Sequence, residues 1–118
     1  MTETQATTFA AEWIAAWNSH DLEAILSHYD SEVVLTSPVA ARLLGHPSGT
    51  VSGKEALRAY FRRGLAVYPD LAFTLLEVMS GVTSVVLHYL NQKGTKCGEF
   101  MDVAPSGKVV RVVAHYGS

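Results

Sequence analysis

The sequence predicts an α+β domain, with helices gathered on one face of a curved antiparallel sheet. Three observations carry this. Apolar residues recur at helical spacing only in the first 65 or so positions. From Leu71 onward no helical period persists, and four stretches alternate instead, near 71–79, 83–91, 95–104 and 108–116. Gly81, Lys93-Gly94 and Ser106-Gly107 interrupt those stretches as short turns, which join consecutive strands antiparallel.

The elements follow in order. Residues 1–5 are polar and read as a frayed end. Phe9, Ala10, Trp13, Ile14 and Trp17 make one stripe of a first helix, which Asn18-Ser19-His20 breaks. Asp21 can cap a second helix by accepting from its free first-turn donors, with Leu22, Ile25, Leu26 and Tyr29 as its buried stripe. Val33–Thr36 is β-branched and reads as a strand ending at Pro38. Residues 39–51, VAARLLGHPSGTV, read as an irregular loop of the kind that serves as a lid or binding element. Ser52-Gly53-Lys54-Glu55 fits a capping box, with Val51 and Ala56 placed for a hydrophobic staple. A third helix follows, with Leu57, Tyr60, Phe61 and Leu65 inward, stopped at Tyr68-Pro69-Asp70.

Bulk properties narrow the function classes. A chain of 118 residues with 48% hydrophobic content fits one domain, 1–118, with one core. A net charge of -2 with no basic cluster argues against nucleic acid as a partner. No signal peptide and no apolar run of membrane length is visible, and Cys97 is the lone cysteine, so a cytoplasmic location is expected. The five histidines show no metal-ligand spacing, and neither metal nor cofactor is expected.

AEWIAAWNSHDLEAILSHYDSEVVLTSP, followed by SGKEALRAYFRR, resembles the opening of SnoaL-like proteins, within the nuclear transport factor 2 and ketosteroid isomerase superfamily. The resemblance spans about Ala10 to Gly117. It implies a cone-shaped, cystatin-like barrel whose mixed or antiparallel sheet wraps around the N-terminal helices. It also implies homodimers built through the outer sheet face. It does not imply one activity: members include isomerases, cyclases, epoxide hydrolases, dehydratases and non-catalytic binding domains. Compared with the steroid isomerases, the oxyanion-binding tyrosine falls at Trp13, the catalytic aspartate at Ser37, a supporting tyrosine at Phe61 and the protonated aspartate at Glu99. A serine hydroxyl cannot shuttle a proton between carbons as a carboxylate does, so steroid isomerisation as such is not expected. The Asp-Arg-Asp set of limonene epoxide hydrolases is missing too, since Arg111 falls on the opposite strand face from Tyr116.

One carboxylate remains as the catalytic candidate. Alternation puts Cys97, Glu99, Met101 and Val103 on one face of their strand. If that face looks inward, an apolar surround raises the carboxyl pKa toward neutrality and suits it to acid–base work. His88 is the second candidate acid or base, between Val86 and Leu90 on its own strand face. Trp13, Trp17, Ser37, Tyr60, Phe61, Met101 and Tyr116 are the expected ligand wall, in which core packing and pocket lining share one surface. Arg111, Val113 and His115 are expected outward. Apolar groups on the outer face, with Phe100, Val113 and Tyr89 or Leu90 among them, suggest a homodimer. The expected function is binding of a small hydrophobic organic molecule. The enzyme reading is a cofactor-independent isomerase, cyclase or dehydratase acting on a carbonyl compound through Glu99. The alternative is a dimeric binding or structural module without turnover.

Overall fold

The computed structural model describes residues 1–117. Its elements run α1 (Glu3–Ser19), α2 (Leu22–Leu26), β1 (Tyr29–Thr36), α3 (Pro38–Leu44), β2 (Thr50–Ser52), α4 (Lys54–Val67), β3 (Thr74–Ser80), β4 (Ser84–Leu90), β5 (Lys96–Val103) and β6 (Val109–Tyr116). The strands form one open sheet in the order β2-β1-β6-β5-β4-β3. All neighbours are antiparallel except β1 and β6, which run parallel. The parallel pair follows from connectivity, because the helices and the β3–β5 meander lie between β1 and β6 in the chain. The sheet is therefore mixed.

Inward side chains alternate along the strands: Val85, Leu87 and Tyr89 on β4, Cys97, Glu99 and Met101 on β5, Val112 and Ala114 on β6. They meet Phe9, Ala10, Trp13 and Trp17 of α1 and Leu57, Tyr60 and Phe61 of α4. Aromatic rings fill the centre. Trp13 stacks on Phe73 at 5.7 Å and meets Tyr89 edge-on at 5.4 Å, while Phe61 meets Trp17 at 4.7 Å and Tyr29 at 5.4 Å.

Several local expectations are corrected. The N-terminus is not frayed: Thr2 and Gln5 form a capping box, and α1 starts at Glu3. The Met1 ammonium also donates to the Val82 carbonyl in the β3–β4 turn. Tyr29 does not belong to the second helix, which ends at Leu26; it opens β1. The stretch 39–51 is mostly ordered as α3 and β2. Ser37 caps α3 by accepting from the Val39 amide at 3.1 Å, Pro38 sits in the first turn, and Gly45 ends it at φ +70°. The capping box at Ser52 does not form. Ser52 is held in β2 opposite Val34, the Gly53 amide bonds the Val33 carbonyl at 2.7 Å, and Gly53 at φ +87° becomes the cap residue. Glu55 turns to Arg58 instead. Asp21 caps α2 as expected, accepting from Glu23 and Ala24.

The break after Trp17 also fastens the connection between α4 and β3. Asn18 exchanges two hydrogen bonds with the Phe73 backbone, at 2.9 and 2.7 Å, and His20 Nε2 donates to the Leu71 carbonyl at 2.7 Å. Phe73 is thereby pinned against Trp13 and Trp17.

Candidate functional site

A cavity of about 310 Å³ opens between the helices and the sheet. Its inner wall comprises Trp17, Tyr29, Leu35, Tyr60, Phe61, Phe73, Tyr89, Glu99 and Ala114. Ser37 and Tyr116 also line it, and Arg42, Tyr68, Asn91, Lys93 and Thr95 stand around it on α3, the end of α4 and the β4–β5 turn.

Glu99 is the only acidic side chain of this lining. It is 8% exposed and has no cationic partner among the described ion pairs. Its Oε1 accepts one hydrogen bond, from the Tyr89 hydroxyl at 2.5 Å. Burial pushes the carboxyl up to about 7, and the Tyr89 bond holds it back from rising further. Near neutrality this carboxyl can therefore either give or take a proton.

Four phenols sit within reach of its charge. Burial, and then Glu99, raise the hydroxyls of Tyr29, Tyr89 and Tyr116 well above the ordinary tyrosine value. Burial pushes Tyr60 up to about 12, against the pull of Ser37, whose hydroxyl also steadies Tyr116. All four consequently stay neutral hydrogen-bond donors at physiological pH. Tyr29 is itself oriented, because the Trp13 indole N–H donates to its oxygen at 3.0 Å. The indole N–H of Trp17 is buried without a hydrogen-bond partner, although close enough to the Tyr29 oxygen to favour its ionised form slightly. Cys97 shares the face of Glu99, but burial pushes its thiol up to about 11, so it is a poor nucleophile.

The expected residues divide as follows. Glu99, Trp17, Ser37, Tyr60, Phe61 and Tyr116 come together at the cavity. Trp13 and Met101 are fully buried behind it, as packing rather than lining. Trp13 still acts on the site through Tyr29. His88 is displaced from its expected place beside Glu99. It pairs across the sheet with Gly98, faces the outer side and contacts Glu77 Oε1 through Nδ1 at 3.1 Å. Tyr89 is not on the outer face: it shares the inward parity of Val85 and Leu87. Tyr29 and Tyr89 are the site residues missed by sequence reading. Tyr89 was hidden because both faces of β4 carry apolar groups, and Tyr29 because it was counted into the helix before it.

The profile of the SnoaL-like domain family matches residues 10–117. The chain belongs to the SnoaL-like family. No functionally curated protein gives a match. Among solved structures, the SnoaL-like chain resembles a SnoaL-like protein of unknown function from Burkholderia thailandensis E264. The two are 43% identical with a TM-score of 0.95, over 99% of this chain and 98% of that one. It also resembles a SnoaL-like family protein from Agrobacterium tumefaciens strain C58, proposed to be an isomerase, at 16% identity and a TM-score of 0.78 (98% and 99% covered). A third likeness is the epoxide hydrolase/cyclase-like enzyme of pyran ring formation in salinomycin, at 16% identity and a TM-score of 0.76 (98% and 92% covered). The last two likenesses concern the fold alone.

Among the described residues of this SnoaL-like chain, no three or more His, Cys, Asp or Glu side chains gather as a metal site. No helix there is long and apolar enough to cross a membrane.

Proposed function

We propose that the cavity binds a small hydrophobic carbonyl compound and that Glu99 moves a proton at the carbon next to the carbonyl. The observation that carries this is the Glu99 carboxyl itself, buried at the cavity wall and, among the described residues, unpaired with any cation; burial pushes it up to about 7. As the carboxylate it takes the α-proton. The C–H electrons move to the carbonyl oxygen, and the enolate so formed accepts a hydrogen bond from a neutral phenol of the wall. Tyr29, Tyr60 and Tyr116 are the available donors, because the Tyr89 proton already serves Glu99. If the enolate is conjugated with a neighbouring C=C, return of the Glu99 proton to the far carbon gives isomerisation. Attack of the enolate carbon on a second carbonyl, whose oxygen takes the Glu99 proton, gives cyclisation. Departure of a β-hydroxyl as water with that proton gives dehydration. The Agrobacterium protein, proposed to be an isomerase, and the epoxide hydrolase/cyclase-like salinomycin enzyme share this fold, which is compatible with an enzyme here and says nothing of its substrate.

The test is exchange of α-protons for deuterium in a panel of apolar aryl ketones, followed by NMR. Wild type accelerates exchange for a subset of them, and Glu99→Gln lowers that rate by about 100-fold or more. Equal exchange in both proteins overturns the role of Glu99.

The second reading is a binding module without turnover. It is favoured by the lone carboxylate, since with His88 outside, no second acid–base group of comparable pKa lines the cavity. Saturable ketone binding with no exchange would select it. We also infer that a second copy covers the outer sheet face, where Val86, Leu90, Phe100 and Val113 are only half-buried. Light scattering at micromolar concentration then gives twice the chain mass, and a monomer contradicts it.

A further inference from the structure

Among the described residues, two cations stand at this cavity with no acidic partner. Arg42 comes from α3 and Lys93 from the β4–β5 turn, and both reach Tyr68. The Arg42 Nη2 donates to the Tyr68 hydroxyl at 2.6 Å, and the Lys93 ammonium lies 5.8 Å from the centre of the same ring. The described ion pairs engage Arg58 and His88, and neither of these two cations. The turn that presents Lys93 is braced, since Asn91 Oδ1 accepts from the amides of Lys93 and Thr95 at 2.9 and 3.0 Å. Both cationic side chains are exposed, whereas Glu99 and the aromatic wall lie inside.

We propose that the ligand is an anion, a hydrophobic ketone bearing a carboxylate, whose acid end is held between Arg42 and Lys93 while its carbonyl end reaches Glu99. A neutral ketone leaves both cations facing water and uses only the apolar wall. A carboxylate makes charge-assisted hydrogen bonds to them and is drawn in by their field. Tyr68 sets the spacing, because it holds both cations against one side chain. The anion must be at the mouth and the apolar part inside, since the inner wall carries a carboxyl and no cation. This inference rests on the carbonyl reading of the cavity, and its test separates the two.

Benzoylpropionate and its methyl ester, which differ in the charge and one methyl group, are titrated against the protein by calorimetry and by Trp fluorescence. At low salt the acid binds about five- to twentyfold tighter than the ester, and the advantage shrinks as salt rises toward about 0.5 M. The double variant Arg42→Gln/Lys93→Gln binds acid and ester alike, at the ester's wild-type affinity. Glu99→Gln leaves the ratio of the two affinities unchanged and slows exchange of the bound acid's α-protons. An ester that binds as well as the acid, or an advantage that survives the double variant, overturns the anion site while leaving the carbonyl reading intact. An acid that keeps its binding advantage but exchanges its α-protons for deuterium equally fast in wild type and Glu99→Gln removes the carbonyl reading and keeps the anion site. Failure of both compounds to bind wild type overturns both.

Discussion

Tyr89 and Glu99 are diagonal neighbours on one face of the β4–β5 ladder, and the tyrosine hydroxyl donates to Glu99 Oε1 at 2.5 Å. Leu87 lies directly opposite Glu99 and Cys97 opposite Tyr89, so the register itself delivers the phenol to the carboxylate. The bond favours the charged form, while burial favours the neutral one more strongly.

Tyr89→Phe removes the one contact that lowers the Glu99 pKa. The carboxyl then titrates above its present midpoint of about 7. Carbon-13 NMR of labelled glutamate follows the titration directly. A midpoint that stays put or falls shows that the hydroxyl does not stabilise the carboxylate.

Glu99 also makes stability depend on pH. Its folded pKa of about 7 lies above the ordinary glutamate value of 4.5, so the folded state holds the proton more tightly. This stabilisation is complete below about 4.5 and is lost as pH rises through about 7, a change on the order of 3 kcal/mol. His28 acts oppositely, because burial lowers its pKa. The difference between wild type and Glu99→Gln isolates the glutamate. Chemical denaturation from acid to alkaline pH shows the variant gaining on wild type across that window. A constant difference contradicts the buried carboxyl.

Gly49 positions Ser37. The Ser37 amide bonds the Gly49 carbonyl at 2.9 Å, and a Cβ on Gly49 would meet the Ser37 carbonyl oxygen at 2.5 Å, with φ at +62°. Gly49→Ala costs about 1–3 kcal/mol by this clash and strain. It also shifts Ser37 in the cavity lining, so ligand affinity falls along with the melting temperature. Ser37→Ala, by contrast, costs about 1 kcal/mol through loss of the α3 cap. Equal stability of Gly49→Ala and wild type rules out the clash.

Asn18→Ala frees the segment that carries Phe73. Two solvent-facing hydrogen bonds are lost, worth about 1 kcal/mol together. Hydrogen exchange of the Phe73 amide quickens more than that of the β4 and β5 amides. Uniform quickening would mean that Asn18 supports global stability and not this segment.

How much of the site could be read in advance depended on counting parity. Glu99 faces inward as alternation along β5 requires, and Tyr116 follows from the same rule on β6. His88 and Tyr89 are adjacent, so one of them had to face the cavity; the apolar run from Ser84 to Leu90 does not say which, because both faces of β4 carry apolar groups. Ser37-Pro38 and Gly45 held the start and stop signals of α3, but the Gly, Pro and Ser content around them imitates a loop. The capping box at Ser52 fails for a different reason: pairing of β2 with β1 claims Ser52 before the helix can use it.

The sequence by itself determined the first helix, the helix of Leu57 to Leu65, the four-strand meander after Leu71 and the inward face of Glu99, since these follow from periods of 3.6 and 2 and from turn residues close together in the chain. Tertiary structure alone decided what surrounds that carboxylate. Tyr29, Tyr60, Tyr89 and Tyr116 come from four elements, and Arg42 and Lys93 lie 51 positions apart. Their convergence depends on sheet register, on the parallel β1–β6 pairing and on burial. None of these leaves a local pattern in the chain, because each is set by contacts between residues far apart in sequence.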